Sequence, residues 1–411
     1  MTRQIFWCYM TDSVRNVKQS RRLIWALGIA QIVSWGSLFY GFPLFVLPMM
    51  ESFGWSLPLV NGAATIGLMT AGLCAYPIGA LIDRHGGRVV MGVGSLGVAT
   101  LLALWSSVTH VYQFYLIWVG LGACMAAVLY DPVFIVLTRH FNSDAKHAIT
   151  LVTLIAGFSG TIFIPLVELM LELLSWRQAL VILAVGNLLF CVPIHFLMVP
   201  NGNTGPAGHV SEEQSTGSST RALMSKRLRD PVFWGLALWF TACSGTAAGI
   251  LFQIVPYLKS IGVDQAVMLM TVALIGPMQV IGRIIVMSFG EKMNISTVGG
   301  CISLLMPLSI LCLVFLPPEL RWLGFFSVSF GLANGIFTII RGIAPADWLG
   351  QEEYGRLLGA LGFPSMLATA LAPLMTAIVW SKTGDPLVML WALFALALVG
   401  FLGYLVAAGN R

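Results

Sequence analysis

The sequence predicts an all-α polytopic membrane protein, with twelve transmembrane helices arranged as two pseudo-symmetric six-helix bundles. Three observations predict it. Hydrophobic types make up 58% of the 411 residues and charged types 9%, against the roughly 25% charge of a water-exposed protein. The apolar residues fall into twelve runs near the length a bilayer demands, about 20 residues of helix. One polar stretch, 200–230, divides those runs six and six.

Taken in order, the expected spans are 23–49, 57–82, 88–108, 111–138, 147–173, 177–199, 231–258, 265–289, 295–316, 321–343, 355–380 and 385–408. The runs are continuous rather than alternating, which excludes a transmembrane barrel. Residues 1–22 are polar and basic, without the short apolar core and small-residue cleavage site of a signal peptide. The first run is therefore expected to be an uncleaved anchor. The 200–230 stretch is rich in Gly, Ser, Thr and charge and is expected to be a linker. The expected organisation is an N-terminal segment 1–22, a bundle 23–199, the linker 200–230 and a bundle 231–408. Equal halves about one polar loop are a repeat signature.

Charge distribution predicts topology. With the N-terminus inside, 18 of the 22 Lys and Arg residues fall at the inner side, leaving Arg177, Lys259, Arg321 and Lys382 outside. The positive-inside rule then places both termini and the linker in the cytoplasm of a bacterial inner-membrane protein. The formal net charge of +5 follows from this topology, so no nucleic-acid partner is invoked.

The seven cysteines include no C-x-x-C pair, and all but Cys8 lie in apolar runs; they are expected to pack helices. Gly92, Gly94 and Gly97 spell G-x-G-x-x-G, but no strand precedes them, so the dinucleotide reading fails. Gly245/Gly249 and Gly331/Gly335 fit close helix packing. The six histidines form no metal pair, and no phosphate-binding loop is present. No enzyme activity, metal or cofactor is expected, and the chain cannot hydrolyse ATP itself.

The stretch "GALIDRHGGR", Gly79 to Arg88, follows the second run. It resembles the loop signature G-x-L-x-D-R-x-G-x-[RK] of the major facilitator superfamily, matching at Gly79, Leu81, Asp83, Arg84, Gly86 and Arg88. The resemblance implies alternating access by two rocking halves. It also implies a gating latch in which Asp83 meets the N-terminus of the eleventh helix, near Tyr354–Gly355, where free N–H groups and the helix dipole favour an anion. Gly79 and Gly86 allow close packing and a tight turn, and Arg84 and Arg88 complete the gating set. The second half carries a degenerate counterpart, Gly282 to Met293, without the Asp-Arg pair.

Ionisable residues at membrane depth are functional candidates by default. They are Asp131, Arg283, Arg341 and the pair Glu168/Glu172. Aligning Tyr354-Gly355 with Lys146-His147 offsets the halves by 208 residues. This puts Arg341 level with Val133, so Asp131 and Arg341 are expected at similar depth, with Arg283 near them. Two arginines and one aspartate leave a positive site suited to a small organic anion, because the guanidinium fork matches carboxylate. An inner-gate pair of Asp131 with Arg341 is the competing reading, and the two can coexist. Pro132 is expected to break the helix beside Asp131. Glu168 and Glu172 are expected to face outer water or Arg177.

The resemblance also implies that the first helix of each half lines the cavity. It thereby adds Gln31, Trp35, Tyr40, Trp239 and Gln253 to Arg283 and Arg341 as substrate-binding candidates, with Asp131 as a coupling residue. The chain is loosely similar to bacterial relatives of monocarboxylate and oxalate/formate carriers, although Gln279 stands four residues before Arg283, where an Asp is common. Leu116 replaces the fourth-helix Arg of the R-x-x-x-G pattern, and the fifth helix lacks the Gly-Pro dipeptide of drug/proton antiporters. The expected function is secondary transport of a small organic anion by a monomer, with H+ as candidate coupling ion. Efflux of drug-like compounds and import of a planar nutrient such as a vitamin are the alternatives.

Overall fold

The structure is a computed structural model that describes residues 21–141, 144–200, 226–289 and 294–411. The N-terminal residues 1–20, most of the expected linker and the end of the degenerate counterpart (290–293) lie outside the described residues.

Twelve helices are long and apolar enough to cross a membrane. They are α1 (Arg21–Phe53), α2 (Leu59–His85), α3 (Gly87–Ser106), α4 (Val111–Phe141), α5 (Ala145–Leu173), α6 (Trp176–Met198), α7 (Pro231–Ser260), α8 (Gln265–Ser288), α9 (Ile295–Phe315), α10 (Leu320–Leu349), α11 (Tyr354–Thr383) and α12 (Pro386–Gly409). Helices are the natural solution here, since hydrocarbon offers no partner to a free N–H or C=O. Their starts carry side-chain caps where the chain re-enters the apolar layer. Ser175 caps α6, Asp230 caps α7, Asn294 caps α9 and Asp385 caps α12. Large apolar side chains such as Leu73, Leu116, Leu173 and Phe315 stay exposed on the outer faces, as a lipid-facing surface requires.

The first half departs from a regular α-helix in α1, α4 and α5, and in α6 through π-turns at Asn187–Cys191 and Ile194–Met198. In α1 a π-turn spans Gly36–Tyr40, with the Gly41 N–H donating to Gly36 O at 2.8 Å. In α4 the helix stops at Leu129, whose backbone is extended, and restarts at Tyr130; the break thus falls before Asp131, three residues earlier than Pro132. In α5 the continuous stretch Ala145–Ala156 ends at Gly157 and resumes at Ser159. By contrast α7, α10 and α11 run unbroken for 30 residues each.

The end bearing Arg84, Arg88, Arg139 and Arg356 is termed the basic end. One hydrophobic core runs through the second half and continues into the basic-end segments of the first, including Ile82, Val133–Leu137 and Ile149. A separate core, with Phe45, Trp105, Phe114 and Trp118, serves the rest of the first half alone. The close approaches between halves follow the same division. Gly72, Ala75 and Gly79 of α2 meet Gly355, Gly359 and Met366 of α11, whereas Gly62 and Gly67 nearer the opposite end pack on Tyr115 and Trp118 of α4. On α11, Thr376 lies beside Gly249 of α7. The close glycine approaches between α2 and α11 thus lie towards the basic end.

Candidate functional site

Asp83 sits at the last turn of α2 and reaches the start of α11. Its Oδ1 accepts from the Gly355 N–H at 3.1 Å and its Oδ2 from the Arg356 N–H at 2.9 Å. These are N–H groups that no intrahelical carbonyl can take, so a carboxylate from one half caps a helix of the other. Arg139 of α4 forms an ion pair with Asp83 and donates to Ile82 O at 3.0 Å. The approach needs glycine on both sides: a Cβ at Gly79 would strike the Gly355 carbonyl, and one at Gly359 would lie 2.5 Å from Ala75 O. Gly86 turns the chain with φ +78. Arg88 acts within its own half, donating to Val199 O at 2.6 Å, and Arg84 is exposed. Of the gating set, the structure therefore brings Asp83 and Gly79 to the interface and leaves Arg84 and Arg88 off it.

One layer deeper, Asp131 and Arg341 join the halves. The Arg341 Nη2 donates to both carboxylate oxygens of Asp131, at 2.9 and 2.8 Å. Gly362 of α11 packs against the pair, a Cβ there falling 3.1 Å from Asp131 Oδ2. The Tyr354 hydroxyl donates to Gly342 O at 2.5 Å and ties the start of α11 to α10.

Arg283 stands apart from that pair. It is 5% exposed, and its Nη1 donates to Thr153 O at 3.1 Å beside the α5 break. Gly157 leaves the room it occupies, since a Cβ there would overlap Nη1. Its Nε has no partner, and no carboxylate pairs with it among the described residues. Arg283 lies within electrostatic reach of Tyr40 and Tyr130. Tyr40 lies against Gly160, and Tyr130 packs between Trp35, at 5.0 Å, and Phe134, at 5.4 Å. The half-buried Trp35 and Tyr40 and the buried Arg283 thus share one region.

Three expected substrate contacts have other duties. Gln31 is fully buried; its amide donates to Val128 O at 2.7 Å and accepts from Trp35 Nε1 at 3.1 Å. It satisfies a carbonyl released by the α4 break. Trp239 is fully buried among Phe240, Phe337, Trp348 and Tyr404, inside its own half. Gln253 donates to Pro373 O at 3.1 Å and braces α7 on α11. Arg177 lies over Trp176 and Phe53 and donates to Ser106 and Val108 carbonyls, so the exposed Glu168 and Glu172 do not pair with it. Arg139, Thr153, Gly157, Tyr130 and Tyr354 were not singled out by the sequence as site residues; Arg139 falls just past the expected fourth span, and its partner Asp83 is brought to it only by the fold.

Comparison with known proteins places this geometry. A family model described as Major Facilitator Superfamily matches residues 27–337. Monocarboxylate transporter 12 of Xenopus laevis is 26% identical over 339 residues, covering 76% of this chain and 72% of that protein. The Homo sapiens protein of the same name is 25% identical over 350 residues, covering 76% and 66%. The E. coli fucose:proton symporter shares the fold, with a TM-score of 0.72 at 13% identity over 94% of this chain and 98% of that one. A second structure of that transporter, in the outward conformation, gives 0.68 at 14% identity over the same shares. Twelve spans in two halves, a carboxylate latch and a family match over most of its length make this chain a multi-pass transporter of the Major Facilitator Superfamily.

Proposed function

We propose that this transporter moves a small organic anion of the monocarboxylate class by alternating access, with Arg283 as the anion-binding group. The observation that carries the reading is a buried guanidinium with no carboxylate paired to it among the described residues and an unpartnered Nε. Arginine keeps its charge, and an uncompensated charge at membrane depth is costly. A substrate carboxylate supplies the missing counter-charge, and Tyr40, Tyr130 and Trp35 flank the position where it sits. The names of the relatives support the same class.

In this reading the Asp83 latch and the Asp131–Arg341 pair hold the basic end shut while the other end admits solute. The halves 23–199 and 231–408 rock about the site, and the linker, both termini and the basic end face the cytoplasm of a bacterial inner membrane. Because no acidic group pairs with Arg283 among the described residues, a coupled proton is carried elsewhere, and Asp131 is the carboxylate placed to exchange Arg341 for it.

The test is uptake of labelled lactate, oxalate and riboflavin into proteoliposomes, with and without an inward pH gradient. Saturable lactate or oxalate uptake supports the reading. Uptake of riboflavin alone, or none of the three with drug resistance on overexpression, replaces it with the alternatives.

A further inference from the structure

The helices that open each half end in the same way. The stretch "VLPMMESFGW" (46–55) and the stretch "IVPYLKSIGV" (254–263) align at the 208-residue offset that relates the halves. Pro48 and Pro256 lie inside α1 and α7 at matching places. Met49 and Tyr257 are both buried. Ser52 and Ser260 match. Gly54 and Gly262 both take left-handed φ, +68 and +74, the conformation that ends a helix with glycine. Sequence, burial and backbone therefore set one residue of each half at one equivalent position, and that position holds Glu51 in α1 and Lys259 in α7.

Both side chains are exposed and neither takes part in an ion pair among the described residues. Other charges at that end are committed: Arg321 pairs with Glu319, Asp264 and Asp385 cap helices, and Arg177 is enclosed by aromatic rings. The charges left over are acidic on the first half (Glu51, Glu168, Glu172) and basic on the second (Lys259, Lys382). Surfaces related by a pseudo-twofold axis bring equivalent positions together, on closing, where those positions lie near the axis. Identical charges there would repel; these are opposite.

We infer that Glu51 and Lys259 form an ion pair that closes the end opposite the Asp83 latch, as the alternate lock of the transport cycle. It rests on the alternating-access part of the proposed function and not on the identity of the substrate. The two locks exclude each other: the present state makes the Asp83 bonds and leaves Glu51 and Lys259 without an ion pair among the described residues.

The native pair can be tested with a zero-length carbodiimide, which joins a carboxylate to an amine only when they touch and traps each visit irreversibly. On the full chain in liposomes, the Glu51–Lys259 linkage should accumulate, and several-fold faster in Asp83→Asn. The linked fraction should show faster hydrogen exchange at the Gly355 and Arg356 amides, because the latch is open. E51K should abolish the linkage at these positions and E51K/K259E should restore it. Absence of the linkage in both the parent and Asp83→Asn overturns the inference. So does a linkage that forms without any change at the latch amides, because the two groups would then meet in the present state. If Asp83→Asn leaves latch exchange unchanged while the parent still links, the latch reading fails and the pair stands.

Discussion

At the scale of residues, the site is a set of carbonyls, carboxylates and guanidinium groups whose partners decide their roles. Asp83 takes two orphan N–H groups of α11 as well as Arg139. Charge-assisted bonds of this kind contribute about 1.5–3 kcal/mol each. Asp83→Asn should accordingly raise latch-amide hydrogen exchange by at least about tenfold, read by mass spectrometry. Gln31 has a different duty, since its amide supports the Val128 carbonyl at the α4 break. Gln31→Leu should lower unfolding stability by roughly 1–3 kcal/mol, the cost of a buried carbonyl left without a donor. It should leave the uptake KM near the parent's, because the amide is engaged by Val128 and Trp35; denaturation in detergent and uptake kinetics check both halves of that statement. Polarity and position on the first helix marked Gln31 and Trp239 in the sequence, but neither says which way a side chain points. Arg283 was legible because a charge in an apolar run is conspicuous. Thr153 was not, because it contributes a backbone carbonyl that any residue possesses.

At the scale of elements, the two halves differ in how they are built. The first has interruptions in α1, α4 and α5 and two π-turns in α6, while α7, α10 and α11 run unbroken. Arg283 of an unbroken helix, α8, reaches the α5 interruption. The α2–α11 contact, in contrast, is made of small residues. Ala75 and Gly79 face Gly355 and Gly359, so the backbones touch and the basic end closes tightly. Gly359→Val should force these helices apart, raising hydrogen exchange at the start of α11 while the protein remains folded in detergent. Gly157→Val should displace the Arg283 guanidinium from Thr153 and cut anion uptake at least about tenfold, the equivalent of one charge-assisted bond. The twelve spans were legible from run length alone, since a bilayer fixes the length of its helices. The interruptions were less so: Pro132 pointed near the α4 break, but the chain changes direction at Leu129, and nothing in the sequence around Gly36–Tyr40 marks a π-turn apart from its glycines.

At the scale of the whole molecule, one core crosses between the halves at the basic end and another stays within the first half. That division is what a rocking transporter needs on the closed side of its cycle, with the Asp131–Arg341 pair and the Asp83 latch as two successive layers of closure. The motif from Gly79 to Arg88 announced the fold because its spacing is specific. The α11 partners of Asp83 lie 272 and 273 residues away, and only the fold brings them close. The central claim is that the buried, uncompensated Arg283 binds the anion. The measurement that tests it most directly is initial-rate uptake of labelled lactate or oxalate in proteoliposomes, comparing the parent with Arg283→Gln and Arg341→Gln at matched protein levels. The account predicts that Arg283→Gln loses at least about tenfold in uptake while remaining folded, and that Arg341→Gln, which frees Asp131, changes the pH dependence of uptake. Undiminished anion uptake by a folded Arg283→Gln protein would contradict it.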